Sequence, residues 1–87
     1  MSEAFLRSIL GETIAHLREL VEIGSFTRDR DGVNRCGDAC ASWFAPLGMT
    51  ERRAPSVSAG CGDHRIWTVG PDDAQAPGLI LVAHLDT

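Results

Sequence analysis

The sequence predicts an α/β protein in which two amino-terminal helices pack on a partial mixed sheet. Apolar residues recur at three- and four-residue intervals from Phe5 to Ile23 and again from Val33 to Leu47, the period of a helix with one apolar face. Apolar and polar residues then alternate around Asp63 to Val69, and an unbroken apolar run, Leu79 to Ala83, follows Pro77-Gly78. Two helix signals followed by strand signals describe a helix layer on a sheet.

In the first helix, Leu6, Ile9, Leu10, Thr13, Ile14, Leu17, Leu20 and Val21 share one face, expected to be a buried stripe, and Gly24 is placed to end the helix. His16 lies at the margin of that stripe and reads as a half-exposed surface histidine. Ser25 to Gly32 is polar, with Asp29, Asp31 and Gly32 supplying turn chemistry. The second helix sets Val33, Cys36, Cys40, Trp43, Phe44 and Leu47 on a narrow apolar face, with Arg35, Asp38 and Ser42 opposite, and Gly48 stops it. Cys36 and Cys40 lie one turn apart and read as packing groups, since no second pair of metal ligands is near in sequence.

Met49 to Ala54 reads as a short edge strand, because Glu51, Arg52 and Arg53 leave it little apolar surface. In the strand Asp63 to Val69, His64, Ile66 and Thr68 take one side, and Arg65, Trp67 and Val69 the other. Gly70 to Gly78 is a connection rich in Pro, Asp and Ala, leading to a closing strand that is expected to be buried and antiparallel to Asp63 to Val69. Taken by themselves, these residues would leave Leu79, Leu81 and Trp67 partly exposed.

A chain of 87 residues forms one domain or part of one, and buries only roughly 60 to 65% of the surface its unfolded form exposes. Its 44% hydrophobic and 23% charged residues are those of an ordinary globular protein. With a net charge of -4 and no Lys, it carries no basic patch suited to nucleic acid. No apolar run reaches the roughly 20 residues that cross a bilayer, so no membrane partner is expected. Cys36, Cys40 and Cys61 show no disulfide spacing and follow no signal peptide, so reduced thiols are expected and the cytoplasm is the default location.

The chemistry concentrates in His84-Leu85-Asp86. At the end of a strand, side chains two residues apart point the same way. The Asp86 carboxylate can then accept a hydrogen bond from one ring nitrogen of His84, leaving the other to bind a metal. On the residues alone, a strand-end histidine followed by an Asp that starts a turn explains the triplet equally well.

The run Leu79 to Thr87 resembles the first metal motif of the M20 family of metallopeptidases, an apolar strand ending in His-x-Asp-Thr. Leu20-Val21-Glu22-Ile23 with the Ser25 loop, Gly32-Val33-Asn34, Leu47-Gly48-Met49 and Gly62-Asp63 extend the likeness over nearly the whole chain, and the glutamate-carboxypeptidase-like branch is the most similar. The resemblance implies the start of a zinc-exopeptidase-type catalytic domain, with residues 1–87 its truncated amino-terminal part and no second domain present. It implies His84 as a ligand to one zinc of a two-metal centre and Asp86 as the orienting, catalytic carboxylate. The reaction implied is hydrolysis of an amide bond in a small peptide or N-acyl amino acid by a metal-activated water. A bridging Asp, a Glu general base and the other ligands would follow Thr87, so the 87 residues alone are expected to be inactive. The resemblance also allows a homodimer formed through a domain absent here.

Two other readings fit the sequence. The chain can be an inert truncated or interaction fragment. Alternatively, Thr27, Asp29, Asp31, Gly32, Val33 and Asp38 fall on positions 1, 3, 5, 6, 7 and 12 of an EF-hand calcium loop spanning 27–38, with Thr at position 1 and Asp rather than Glu at position 12.

Overall fold

Ser2 opens the first helix because its hydroxyl accepts the Phe5 N–H at 3.1 Å, in a computed structural model that describes residues 2–70 and 78–87. Helix α1, Glu3–Ser8, is braced on its surface by an Arg7–Glu3 pair at 2.6 Å. The single helix expected over Phe5 to Ile23 is interrupted at Ile9, where ψ is 0°, and resumes as α2, Leu10–Glu22. The Ser8 hydroxyl donates to the Phe5 carbonyl at 2.6 Å, the local side-chain competition that loosens a helix. Thr13 then ties α2 back to the Ile9 carbonyl through both its N–H and its hydroxyl.

The apolar stripe of α2 is not buried. Ile14, Leu17 and Val21 are 46, 58 and 74% exposed. Contact with the second helix layer comes instead from His16, whose ring stacks on Trp43 at 4.3 Å.

Helix α3, Arg30–Phe44, begins earlier than the sequence suggests, since Asp29 Oδ1 accepts the Gly32 N–H at 2.9 Å and caps it. Gly32 therefore sits in the first turn, where a Cβ would lie 1.7 Å from the Gly24 carbonyl oxygen. The small core is built on this helix: Val33, Cys36 and Ala39 are buried, while Arg35, Asp38 and Ser42 face outward as expected. Pro46 turns the end into a 3-10 segment, Ala45–Leu47, and Gly48, at φ 77°, stops it.

Strands β1, Thr50–Ala54, and β2, His64–Thr68, pair antiparallel with Thr50 opposite Thr68 and Ala54 opposite His64. Arg65 and Trp67 turn inward and His64, Ile66 and Thr68 outward, the alternation expected of this strand. Trp67 meets the edge of Phe44 at 5.0 Å.

The closing strand is a correction. Leu79 to Ala83 joins no sheet among the described residues, and Leu81 and Val82 are 85 and 90% exposed. β2 is hydrogen-bonded to β1 rather than to this run, which meets no strand edge among the described residues and leaves its backbone to water. The connection expected at Gly70 to Gly78 lies largely outside the described residues. A radius of gyration of 14.9 Å, against about 12 Å for a compact domain of this length, fits so thin a core. No described helix is long and apolar enough to cross a membrane.

Candidate functional site

The carboxyl end docks on the loop between α2 and α3. That loop is shaped locally: the Asp29 N–H donates to the Phe26 carbonyl at 2.8 Å, and Asp29 then caps α3. Ser25 is buried at its base, and its hydroxyl lies 2.9 Å from the Thr87 hydroxyl. The Thr87 N–H donates to the Ser25 carbonyl at 2.8 Å, and the Thr27 hydroxyl donates to Asp86 Oδ2 at 2.6 Å.

His84 folds back over this end. Its Nδ1 lies 2.7 Å from the Asp86 backbone carbonyl and 3.3 Å from Asp86 Oδ1. A carbonyl oxygen can only accept, so the contact requires the proton on Nδ1 and leaves the lone pair on Nε2. The side chain is 79% exposed, and Nε2 can be reached from solvent. His84 and Asp86 are thus brought together as the sequence suggested, but in a segment that forms no strand, with the backbone carbonyl as the nearer acceptor.

The Thr27 hydroxyl holds the Asp86 carboxyl below its ordinary range against a smaller opposing effect of burial, with further help from its own backbone and from His84. Leu85, half-buried, lines an apolar cleft of about 370 Å³ together with Leu17, Leu20, Val21 and Cys36, and His84 stands at its rim.

The remaining candidates are committed elsewhere. Burial pushes the Cys36 and Cys40 thiols up, Cys40 further through Cys36, which keeps them protonated and suits packing better than metal binding. Asp63 pairs with Arg53 at 2.9 Å and its N–H donates to Asn34 Oδ1, a turn role, while His64 points outward. The residues of the EF-hand reading are otherwise engaged in this structure: residues 30–38 are helical, Asp29 caps that helix, Asp38 binds Arg65, and Thr27 is bonded to Asp86. Those oxygens do not converge. Among the described residues, no three His, Cys, Asp or Glu side chains come together to hold a metal.

The bonding roles of Ser25, Thr27 and Arg65 are not among the sequence expectations, which place Ser25 in the loop after the first helix, Thr27 at position 1 of a calcium loop and Arg65 on one side of a strand. Arg65 is 1% exposed and reaches Glu51 Oε1 and Asp38 Oδ1 at 2.7 Å and the Asn34 carbonyl at 2.9 Å. Its signal was its parity with Trp67 on the inward side of β2. Ser25 and Thr27 gave no local signal, because their partners are 62 and 59 residues away.

Protein-family models, curated proteins and solved structures were all compared with the chain. None matches. What the site offers rests on its own chemistry: the His84 imidazole, with Nδ1 tied down and Nε2 open to solvent, has the donor a zinc would need and could supply a single metal bond.

Proposed function

We propose that His84 and Asp86 are the first metal ligand and its orienting residue in a two-zinc amide hydrolase of the M20 metallopeptidase type. The observation that carries this reading is the arrangement of the His84 ring, with Nδ1 held by Asp86 and Nε2 free. The nine-residue likeness over Leu79 to Thr87 supports it. When bound, a zinc pair at such a centre supplies a nucleophilic hydroxide and polarises the amide carbonyl.

The chain's own contribution is to fix which imidazole nitrogen is free and to aim it. Asp86 does this through its carbonyl and its carboxylate, and removing such a partner costs about 10- to 100-fold in metal affinity or activity. The other ligands, the bridging carboxylate and the general base come from residues beyond these 87, and the substrate is a small peptide or an N-acyl amino acid. The wide apolar exposure of Leu17, Val21 and Leu79 to Val82 favours a second reading, a non-catalytic piece that binds another protein.

Metal analysis of the longest product of the gene, with and without His84→Ala, separates the two. Bound zinc and hydrolysis of N-acyl amino acids, both lost on substitution, support the hydrolase. Zinc-free protein without His84-dependent hydrolysis leaves the binding piece. Sub-micromolar zinc affinity in the 87-residue chain itself, abolished by His84→Ala, would contradict the single-ligand description.

A further inference from the structure

We propose that the loop between α2 and α3 sets the tautomer and direction of His84, with Thr27 as the positioning residue and Ser25 as the anchor of the peptide unit that receives the ring. This rests on the reading of His84 as a metal ligand and extends it to residues nearly the whole chain away. Ser25 and Thr27 hold two different parts of Asp86–Thr87, and each hold has its own consequence for the ring.

The first hold acts on a peptide plane. The Asp86 carbonyl and the Thr87 N–H belong to one trans peptide unit, so they point in opposite directions. The N–H is spent on the Ser25 carbonyl at 2.8 Å, which turns the Asp86 carbonyl outward to meet His84 Nδ1 at 2.7 Å. The hydroxyls of Ser25 and Thr87, 2.9 Å apart, close the same joint from the side-chain direction. Ser25 is 5% exposed, so water competes poorly for this joint.

The second hold acts on the carboxylate. The Thr27 hydroxyl donates to Oδ2 at 2.6 Å, which leaves Oδ1 as the oxygen facing the ring at 3.3 Å. Two acceptors, one backbone and one carboxylate, then converge on Nδ1, and both favour a proton there. Without the loop, neither acceptor is fixed, and an exposed histidine reverts to the Nε2–H form that imidazole side chains prefer in water. That form has no lone pair where a metal would be met. The residue before Ser25 sits close to α3, where the Gly24 carbonyl approaches Gly32 so closely that no Cβ fits.

The test reads the tautomer directly from the ring nitrogen chemical shifts of the metal-free 87-residue chain in mildly alkaline solution. The Nδ1–H form is expected to dominate in the unsubstituted chain. Thr27→Val, which keeps the shape and removes the donor but leaves the Asp86 carbonyl on Nδ1, is expected to raise the share of the Nε2–H form measurably, and Thr27→Ser to restore the original ratio. An Nδ1–H form unchanged in Thr27→Val with an intact amide spectrum overturns the proposal. If Thr27→Val disturbs the amide spectrum beyond the loop and the last four residues, Thr27→Ser decides: retention of the Nδ1–H form supports the proposal, and its loss overturns it. A structural role alone would not be rescued by serine with the tautomer as the readout. Because no metal is present, failure of the zinc reading leaves this result standing, and failure here leaves the zinc titration to be judged by itself.

Discussion

Replacing Arg65 by Met should destabilise the fold by about 2 kcal/mol, and the size follows from which partners are left behind. The guanidinium is 1% exposed and bridges β2 to α3 through Asp38 and the Asn34 carbonyl, and to β1 through Glu51. Hydrogen bonds to charged groups contribute about 1.5 to 3 kcal/mol each, which would suggest a larger loss. Asp38 and Glu51 are 64 and 30% exposed, however, and regain hydration when the arginine goes. The methionine stem also keeps packing against Gly37, which the guanidinium touches so closely that a Cβ there would lie 2.8 Å from Cζ.

The opposite deletion is worse. Asp38→Ala with Glu51→Ala strands a buried cation, the case that costs about 3 to 5 kcal/mol. The Arg65 Nε already has no partner, so the group has nothing in reserve. In a domain of this size about 1 kcal/mol moves the midpoint by about 4 to 8 °C, so Arg65→Met should lower it by about 8 to 16 °C and the double variant by more. Thermal unfolding followed by far-UV circular dichroism checks the order. A double variant more stable than Arg65→Met would refute the reasoning, since it would mean the guanidinium is not held by its carboxylates.

Three other perturbations follow from the same geometry. Asp86 titrates below the ordinary value of 3.8, so its contribution is complete above that pH and is lost only as the pH falls through the lower native value. Thr27→Val should move its carboxyl resonance titration back up toward 3.8. Burial raises the Cys36 and Cys40 thiols above 9.0, so the stability they confer is whole below that pH and declines as the pH climbs through the raised native values. Denaturant midpoints measured across the alkaline range should fall, and Cys36→Ala with Cys40→Ala should flatten the fall. Gly32→Ala, whose Cβ would meet the Gly24 carbonyl at 1.7 Å, should cost about 3 kcal/mol or more, read as a lower urea midpoint. Gly11→Ala, with open space around it, should not lower that midpoint.

What the sequence disclosed divides by distance along the chain. The 3.6-residue period of α2 and α3, the stop at Gly48 and the inward parity of Arg65 and Trp67 are local, and they were legible. The break at Ile9 was not, because a stripe of Leu and Ile says nothing about where the Ser8 hydroxyl will bond. Leu79 to Ala83 was read as a buried strand since an apolar run shows what would favour pairing, but not whether a partner edge is present. The closeness of His84 and Asp86 was visible from their spacing. The hold of Ser25 and Thr27 on Thr87 and Asp86 depends on contacts that no local pattern encodes.

In the proposed function, His84 Nε2 is a metal ligand held ready by Asp86. Zinc added to the 87-residue chain, followed through the ring nitrogen resonances of His16, His64 and His84, tests it most directly. Weak binding is predicted, with His84 Nε2 shifting first and the response abolished by His84→Ala. Zinc binding that leaves the His84 ring unmoved and survives His84→Ala would contradict it.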